Sequence, residues 1–95
     1  MNQSEKYVKK YVEVMVDFSA DGTMVPKTLI WENGRHYDID RVKSIQAAPA
    51  MKSGGQGDRY TIMIEGQERY LFFEHNYGFN NSKIGKWFVE RTPIH

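Results

Sequence analysis

The chain has 95 residues, enough for one domain with a single modest core. It contains no cysteine, which excludes disulfide bonds, thiol catalysis and cysteine-ligated zinc. The 13 lysines and arginines nearly balance the 12 aspartates and glutamates. The formal charge of +1 is low for a protein that binds nucleic acid through net charge alone.

The lengths of the apolar runs in the sequence predict the cellular compartment. Residues 1–11 lack the apolar centre of a signal peptide, and no apolar run approaches the ~20 residues of a membrane span. We therefore expect a cytoplasmic protein in which residues 1–95 form one small β-barrel domain. The polar residues 1–6 are expected to be disordered.

The first two predicted strands are joined by a turn at Asp21-Gly22. Residues 7–18 alternate between apolar and polar side chains, which is typical of a half-buried strand. Asp-Gly is a hairpin signal, and the second strand follows at about residues 24–32. Pro26 has no N–H to donate, so it predicts either a sheet edge or an irregular strand start.

The dipeptide Asn33-Gly34 is the strongest turn signal in the chain. It separates two runs rich in β-branched and aromatic residues, and both residues tolerate positive φ, so we predict a type I′ hairpin turn. The third strand begins at Arg35, but its alternation slips near Asp40. We interpret the slip as a bend in the strand; a helical turn over residues 40–46 is the alternative.

The second half of the chain predicts three further strands. A glycine-rich loop at residues 47–58 precedes a strand over residues 59–65, and a three-residue turn at Glu65-Gly66-Gln67 leads to a strand over residues 68–74. That fifth strand is apolar on both faces, which predicts a central position in the sheet. After a second loop, the last strand spans residues 86–91.

These six strands, with no clear helical pattern, predict an all-β fold. We expect an antiparallel meander curled into a small barrel, SH3-like or similar. The candidate core residues lie on the apolar faces of the strands: Val14, Val16, Leu29, Trp31, Tyr37, Ile39, Ile62, Ile64, Phe72, Trp87 and Val89.

Basic and aromatic residues interleave along several strands. Small β-barrels bind single-stranded nucleic acid by stacking bases on aromatic rings within a basic groove. The alternative is that the same rings fill the core. Residues 52–59 form a glycine-rich segment between two basic residues, which is either an anion-binding concavity or a simple connector. The candidate nucleic-acid or anion contacts are Lys52, Arg59, Arg35, Arg69, Tyr60 and Tyr70.

Residues that carry catalytic chemistry are few. His36, Asp38 and Asp40 fall on one face of the third strand, which leaves open the alternative of a small hydrolase with an acid–base face. No serine or cysteine nucleophile is tied to them, and the histidines match no metal-ligand spacing. We therefore predict that the protein is not an enzyme and has no catalytic residue, metal or cofactor.

A protein partner is a further alternative. A small sheet can pair with another chain through an exposed edge or an apolar patch, or form a homo-oligomer in the same way. Residues 24–26 and the last strand are the candidate edges.

Four segments resemble a small uncharacterised family of bacterial β-domains. They are WENGRHYDIDRV at residues 31–42, GGQGDRY at 54–60, YLFFE at 70–74 and WFVE at 87–90. The resemblance covers most of residues 11–91. It implies that relatives are often encoded beside Y-family, lesion-bypass DNA polymerases, and it brings no catalytic residues. We therefore expect a non-enzymatic accessory or binding domain linked to DNA repair or other nucleic-acid transactions, which contacts single-stranded nucleic acid or a DNA-handling protein.

Overall fold

The computed structural model describes residues 7–47, 57–75 and 84–91, and these residues form strands, turns and short connections. One antiparallel sheet curls into a half-barrel, which confirms the predicted all-β class. The described ranges contain seven strands rather than six, and they include no helix that could cross a membrane. The strands are β1 (Val8–Phe18), β2 (Met24–Ile30), β3 (His36–Asp38), β4 (Arg41–Ala47), β5 (Asp58–Ile64), β6 (Gln67–His75) and β7 (Gly85–Arg91).

The extra strand arises because the third predicted strand divides in two. β3 and β4 follow each other in the chain but lie at opposite edges of the sheet, whose order is β3-β2-β1-β7-β6-β5-β4. Between them, the N–H of Ile39 donates to the carbonyl of Lys27 (2.9 Å), and the N–H of Asp40 donates to the carbonyl of Met63 (2.8 Å). Two residues therefore link β2 to β5. The helical alternative over residues 40–46 is wrong, because β4 occupies that stretch.

The Asn33-Gly34 hairpin is present, but its turn is not of type I′. Gly34 has a φ of 84°, whereas Asn33 stays outside the positive-φ region. The N–H of Gly34 donates to the carbonyl of Trp31 (2.8 Å), and the N–H of Trp31 donates to the carbonyl of Arg35 (2.9 Å). This is the pattern of a type I turn followed by a left-handed glycine. The Asn33 side chain accepts a hydrogen bond from the N–H of Arg35 (2.9 Å), so asparagine suits the position without adopting positive φ.

The type I′ geometry occurs instead at Glu65-Gly66. The φ angle is 52° at Glu65 and 76° at Gly66, and Ile64 pairs directly with Gln67 across this two-residue loop. Among the described residues, Glu65 is the one non-glycine residue with positive φ. Glutamate has neither the freedom of glycine nor the left-handed tolerance of asparagine, so this turn carries local backbone strain.

Pro26 lies at a register shift in β2. It pairs with Val16 of β1, and the shift beside that pair skips Lys27, which accommodates a residue without an N–H. Within the described residues, β3 pairs only with residues 28–30 of β2, so residues 24–26 have a paired strand on one side alone. This agrees with their prediction as an edge. The last strand is different. β7 pairs with both β1 and β6, so its prediction as an edge is wrong.

The main core lies on one face of the sheet, which we call the inner face. One predicted core residue, Phe72, lies on the opposite, outer face. All the other predicted core residues belong to the main core or pack against it. The ring of Phe72 stacks on Phe88 with the centroids 5.1 Å apart, and both side chains are buried. The centre of the sheet is thus covered on both faces, and the predicted central position of the fifth strand, now β6, is confirmed. The main core consists of Leu29, Ile39, Tyr60, Ile62, Leu71, Phe73 and Trp87.

Two glycines allow neighbouring backbone to approach the end of β6. A Cβ at Gly57 would lie 2.1 Å from the carbonyl oxygen of Phe73, and a Cβ at Gly85 would lie 2.5 Å from the carbonyl oxygen of Glu74. Both separations are far below van der Waals contact. Neither position can therefore accept a side chain unless the backbone moves.

Candidate nucleic-acid interface

A cleft opens where β6 and β7 separate. The pairing of the two strands stops at Phe72 and Phe88. Beyond that point, residues 67–71 of β6 and residues 89–91 of β7 make no pair with each other. Gln67, Arg69 and Tyr70 of the first segment and all three residues of the second line a space of about 840 Å³. Because the strands separate, side chains from both faces of β6 reach this space. We call it the arginine cleft; its charged and aromatic lining consists of Tyr7, Trp31, Tyr37, Arg59, Glu65, Arg69, Tyr70, Phe72, Glu90 and Arg91.

Three aromatic rings that line the arginine cleft each have an arginine guanidinium within about 6 Å, the range of a cation–π contact. Such contacts are worth about 0.5–1 kcal/mol at exposed sites. They hold each guanidinium beside a ring without neutralising its charge. The pairs, with the distance from Cζ to the ring centroid, are Arg59–Tyr70 (4.5 Å), Arg35–Tyr37 (5.1 Å) and Arg91–Trp31 (5.9 Å).

Arg59 is held by neighbours on two strands, β4 and β6. On β5 it lies opposite Phe72 of β6 and opposite Gln46 of β4. Its Nη2 donates to Oε1 of Gln46, and its guanidinium lies over the ring of Tyr70. Its Nε is buried and meets no acceptor among the described residues. Since the side chain of Gln46 is neutral, these contacts leave the positive charge of Arg59 uncompensated.

Arg69 also lacks a carboxylate partner in the described part of the chain. Its guanidinium donates to Oε1 of Gln67 and to the backbone carbonyl of Glu68 (3.5 Å). Arg91 differs, because its Nη1 lies 3.9 Å from the carboxylate of Glu32. Among the described residues, the cleft therefore has two arginines without a carboxylate partner, and a third that shares its charge with a glutamate.

The structure brings three of the predicted contact residues together, because Arg59, Arg69 and Tyr70 all line the arginine cleft. Arg35 does not line the cleft itself. Its guanidinium lies over the ring of Tyr37, and Tyr37 is one of the lining residues. Four of the six predicted contacts thus lie in or beside one cleft, although they come from three different segments of the chain.

Tyr60 and Lys52 do not join this group. Tyr60 is 4% exposed, and its ring packs against Trp87 with the centroids 5.0 Å apart. Burial raises the pKa of Tyr60, and the nearby carboxylate of Asp58 adds to the shift. The core alternative therefore holds for Tyr60, whose buried ring offers no face to a base. Lys52, with the rest of residues 52–56 of the glycine-rich segment, lies outside the described residues.

Arg91 and Trp31 are cleft residues that sequence reasoning does not identify as a pair. Arg91 has no aromatic neighbour in the chain, and its ring partner lies in the hairpin that follows β2. Trp31 is predicted as a core residue, and it does pack against the core while also lining the cleft. Only the pairing of β1 with both β2 and β7 brings the two residues together.

His36, Asp38 and Asp40 are exposed, and none of them lines the arginine cleft. The carboxylate of Asp38 accepts a hydrogen bond from the hydroxyl of Thr28 (3.4 Å). Within the described residues, no group of three or more His, Cys, Asp or Glu side chains could hold a metal ion. The described structure thus gives the hydrolase alternative no enclosed site.

Comparison with known proteins identifies no relative. The chain matches no protein-family model, no curated protein and no solved structure. The resemblance to bacterial β-domains encoded beside lesion-bypass polymerases therefore stays a prediction.

Proposed function

We propose that this protein is a non-enzymatic accessory domain that binds single-stranded nucleic acid in the arginine cleft, in DNA repair or a related transaction. The observation that carries the proposal is the set of arginine–aromatic pairs at the cleft, where no carboxylate in the described part of the chain pairs with Arg59 or Arg69. Arginine binds phosphate oxygens through paired hydrogen bonds, and aromatic rings stack on bases. The resemblance to domains encoded beside lesion-bypass polymerases supports the DNA context.

The cleft carries no larger formal charge than the whole chain. Three arginines line it against two glutamates, Glu65 and Glu90, in a protein of formal charge +1. Steering by net charge is therefore weak, and affinity has to come from direct contacts. We expect modest binding that weakens steeply with salt, because each phosphate contact releases counterions.

The edges of the sheet support a protein partner less well. β3 has only 3 residues, while β4 carries a register shift at Lys43 and exposes Arg41. Short strands, bulges and basic side chains are the features with which natural proteins block pairing between sheet edges. A protein–protein or homo-oligomerising role would therefore need a surface other than these edges.

The test is fluorescence anisotropy with a labelled single-stranded oligothymidylate in low salt. Arg69→Ala should weaken binding and reduce the slope of log affinity against log salt by about 1, because one phosphate contact is lost. Lys27→Ala is the matched control, since Lys27 is an exposed cation of β2 that does not line the cleft. It should change neither the affinity nor the slope.

Two outcomes would contradict the proposal. One is the absence of binding in low salt at high protein concentration. The other is an equal loss of affinity from Arg69→Ala and Lys27→Ala, because binding would then depend on overall charge and not on the cleft.

A further inference from the structure

Tyr70 presents a half-exposed aromatic ring beside Arg59, in a cleft whose lining also includes Arg69. The Tyr70 side chain is 48% exposed, although β6 is an interior strand with neighbours on both sides. It follows Arg69 in the chain, and the guanidinium of Arg59 lies 4.5 Å from its ring centroid. The ring and the guanidinium of Arg59 therefore lie together in the cleft lining, and Arg69 reaches the same cleft from the opposite face of β6.

The contacts around Tyr70 fix its position before any ligand binds. Tyr70 pairs with Thr61 of β5 within an unbroken ladder, so its backbone is well held. Arg59 covers the ring and is itself anchored by its hydrogen bond to Gln46. A ring that is already ordered loses little conformational entropy when a planar ligand stacks on it.

We propose that Tyr70 is the platform on which an unpaired base of the bound nucleic acid stacks, with Arg59 bracing the ring. This step rests on the proposed function and adds that the cleft recognises bases as well as phosphates. Stacking on an aromatic ring tolerates any sequence, because every base has a π-face. The bases of a duplex are already stacked on their neighbours, so the platform selects single strands.

Tyr11 provides an internal comparison for the experiment. It is 47% exposed, and Nζ of Lys86 lies 5.0 Å from its ring centroid. It does not line the arginine cleft, and its hydroxyl donates to Glu74 (2.7 Å). Exposure and a neighbouring cation are thus matched between the two tyrosines, whereas their position relative to the cleft is not.

The experiment measures the affinity for a labelled oligothymidylate and for an abasic strand of the same length and charge, by fluorescence anisotropy in low salt. Removing the bases abolishes stacking and keeps every phosphate, so the unmodified protein should bind the oligothymidylate about tenfold more tightly. Tyr70→Leu should bind both strands as weakly as the unmodified protein binds the abasic strand. Tyr70→Phe, which keeps the ring, and Tyr11→Leu should both retain the preference.

Equal affinity of the unmodified protein for both strands would overturn the stacking platform and leave the proposed function standing, because phosphate contacts alone would then explain binding. A Tyr70→Leu variant that keeps the preference, or a Tyr11→Leu variant that loses it, would also overturn the platform. Binding of neither strand would overturn the proposed function and the platform together. Far-UV circular dichroism of each variant checks that the sheet is intact.

Discussion

Arg59 on β5 and Tyr70 on β6 are diagonal neighbours: Arg59 lies opposite Phe72, Tyr70 lies opposite Thr61, and 4.5 Å separate the guanidinium carbon from the ring centroid. Diagonal positions on one face of an antiparallel pair are within reach of long and aromatic side chains. The contact therefore joins β5 to β6 through side chains as well as through the backbone, at the point where β6 leaves β7.

The contact between Arg59 and Tyr70 predicts an energetic coupling. In a double-mutant cycle of Arg59→Ala and Tyr70→Ala, the losses of unfolding free energy should deviate from additivity by about 0.5–1 kcal/mol, the size of an exposed cation–π pair. Urea unfolding followed by tryptophan fluorescence measures the coupling. The control cycle combines Arg69→Ala with Tyr70→Ala and should give a coupling near zero, because adjacent strand residues face opposite sides. Equal coupling in the two cycles would contradict this geometry.

Glu74 predicts a dependence of stability on pH. It accepts hydrogen bonds from the hydroxyl of Tyr11 (2.7 Å) and from Nζ of Lys9 (3.0 Å), and these hold the pKa of Glu74 below its ordinary value of 4.5, with Tyr11 as the larger cause. A lowered pKa stabilises the fold above pH 4.5, and this stabilisation is lost as the pH falls through the folded-state pKa. Glu74→Gln should therefore cost about 1 kcal/mol at neutral pH and much less in acid.

Urea unfolding of both proteins at neutral pH and in acid measures this difference. Glu68→Gln is the control, because Glu68 is an exposed carboxylate whose ion pair with Lys43 is open to solvent. It should change the unfolding free energy by no more than about 0.5 kcal/mol. A cost of Glu74→Gln that is the same at both pH values would show that the charge of Glu74 does not contribute.

The positive φ at Glu65 predicts a stabilising substitution. Glu65→Asn should raise the unfolding free energy by about 0.5 kcal/mol, because asparagine adopts the left-handed conformation of a type I′ turn more readily than glutamate. Glu65→Val should act in the opposite direction, since a β-branched side chain is poorly compatible with this conformation. Thermal unfolding ranks the three proteins. A lower midpoint for Glu65→Asn than for the unmodified chain would refute the assignment of the turn.

The close approach at Gly57 predicts a large loss of stability. Gly57→Ala should lower the unfolding free energy by about 2 kcal/mol or more, because its Cβ would lie 2.1 Å from the carbonyl oxygen of Phe73. Gly22→Ala is the comparison, since its Cβ would meet no atom within 4 Å and only the positive φ of 88° opposes it. That substitution should cost about 1 kcal/mol. Similar losses at the two positions in urea unfolding would argue against the tight contact.

Strand periodicity predicts much of this fold, because the alternation of side chains is a local property of the chain. Val14 and Ile62 occupy the inner side of the sheet as their patterns indicate. The division of the third predicted strand is different in kind. The slip of the alternation near Asp40 marks the place, but the division itself depends on the backbone partners of Ile39 and Asp40, which belong to β2 and β5.

The sequence predicts which residues belong to the candidate site better than it predicts which arginine contacts which aromatic ring. Arg59-Tyr60 and Arg69-Tyr70 are neighbours in the sequence, but a strand sends adjacent side chains to opposite faces, so Tyr60 enters the core. The contact of Arg59 with Tyr70 follows from the register of β5 and β6. A two-residue loop after Ile64 determines that register, whereas the longer turn predicted from the sequence would shift it by one residue.

The central position of β7 determines when the sheet can be completed during synthesis. The strands β1 to β3 form one meander and β4 to β6 form another, and β7 pairs with a member of each. Both meanders leave the ribosome before β7, and until it arrives β1 and β6 each present an unpaired edge to chaperones or to other nascent chains. A cut in the connection between β6 and β7 should therefore give two fragments that cannot form the sheet alone and that assemble when mixed.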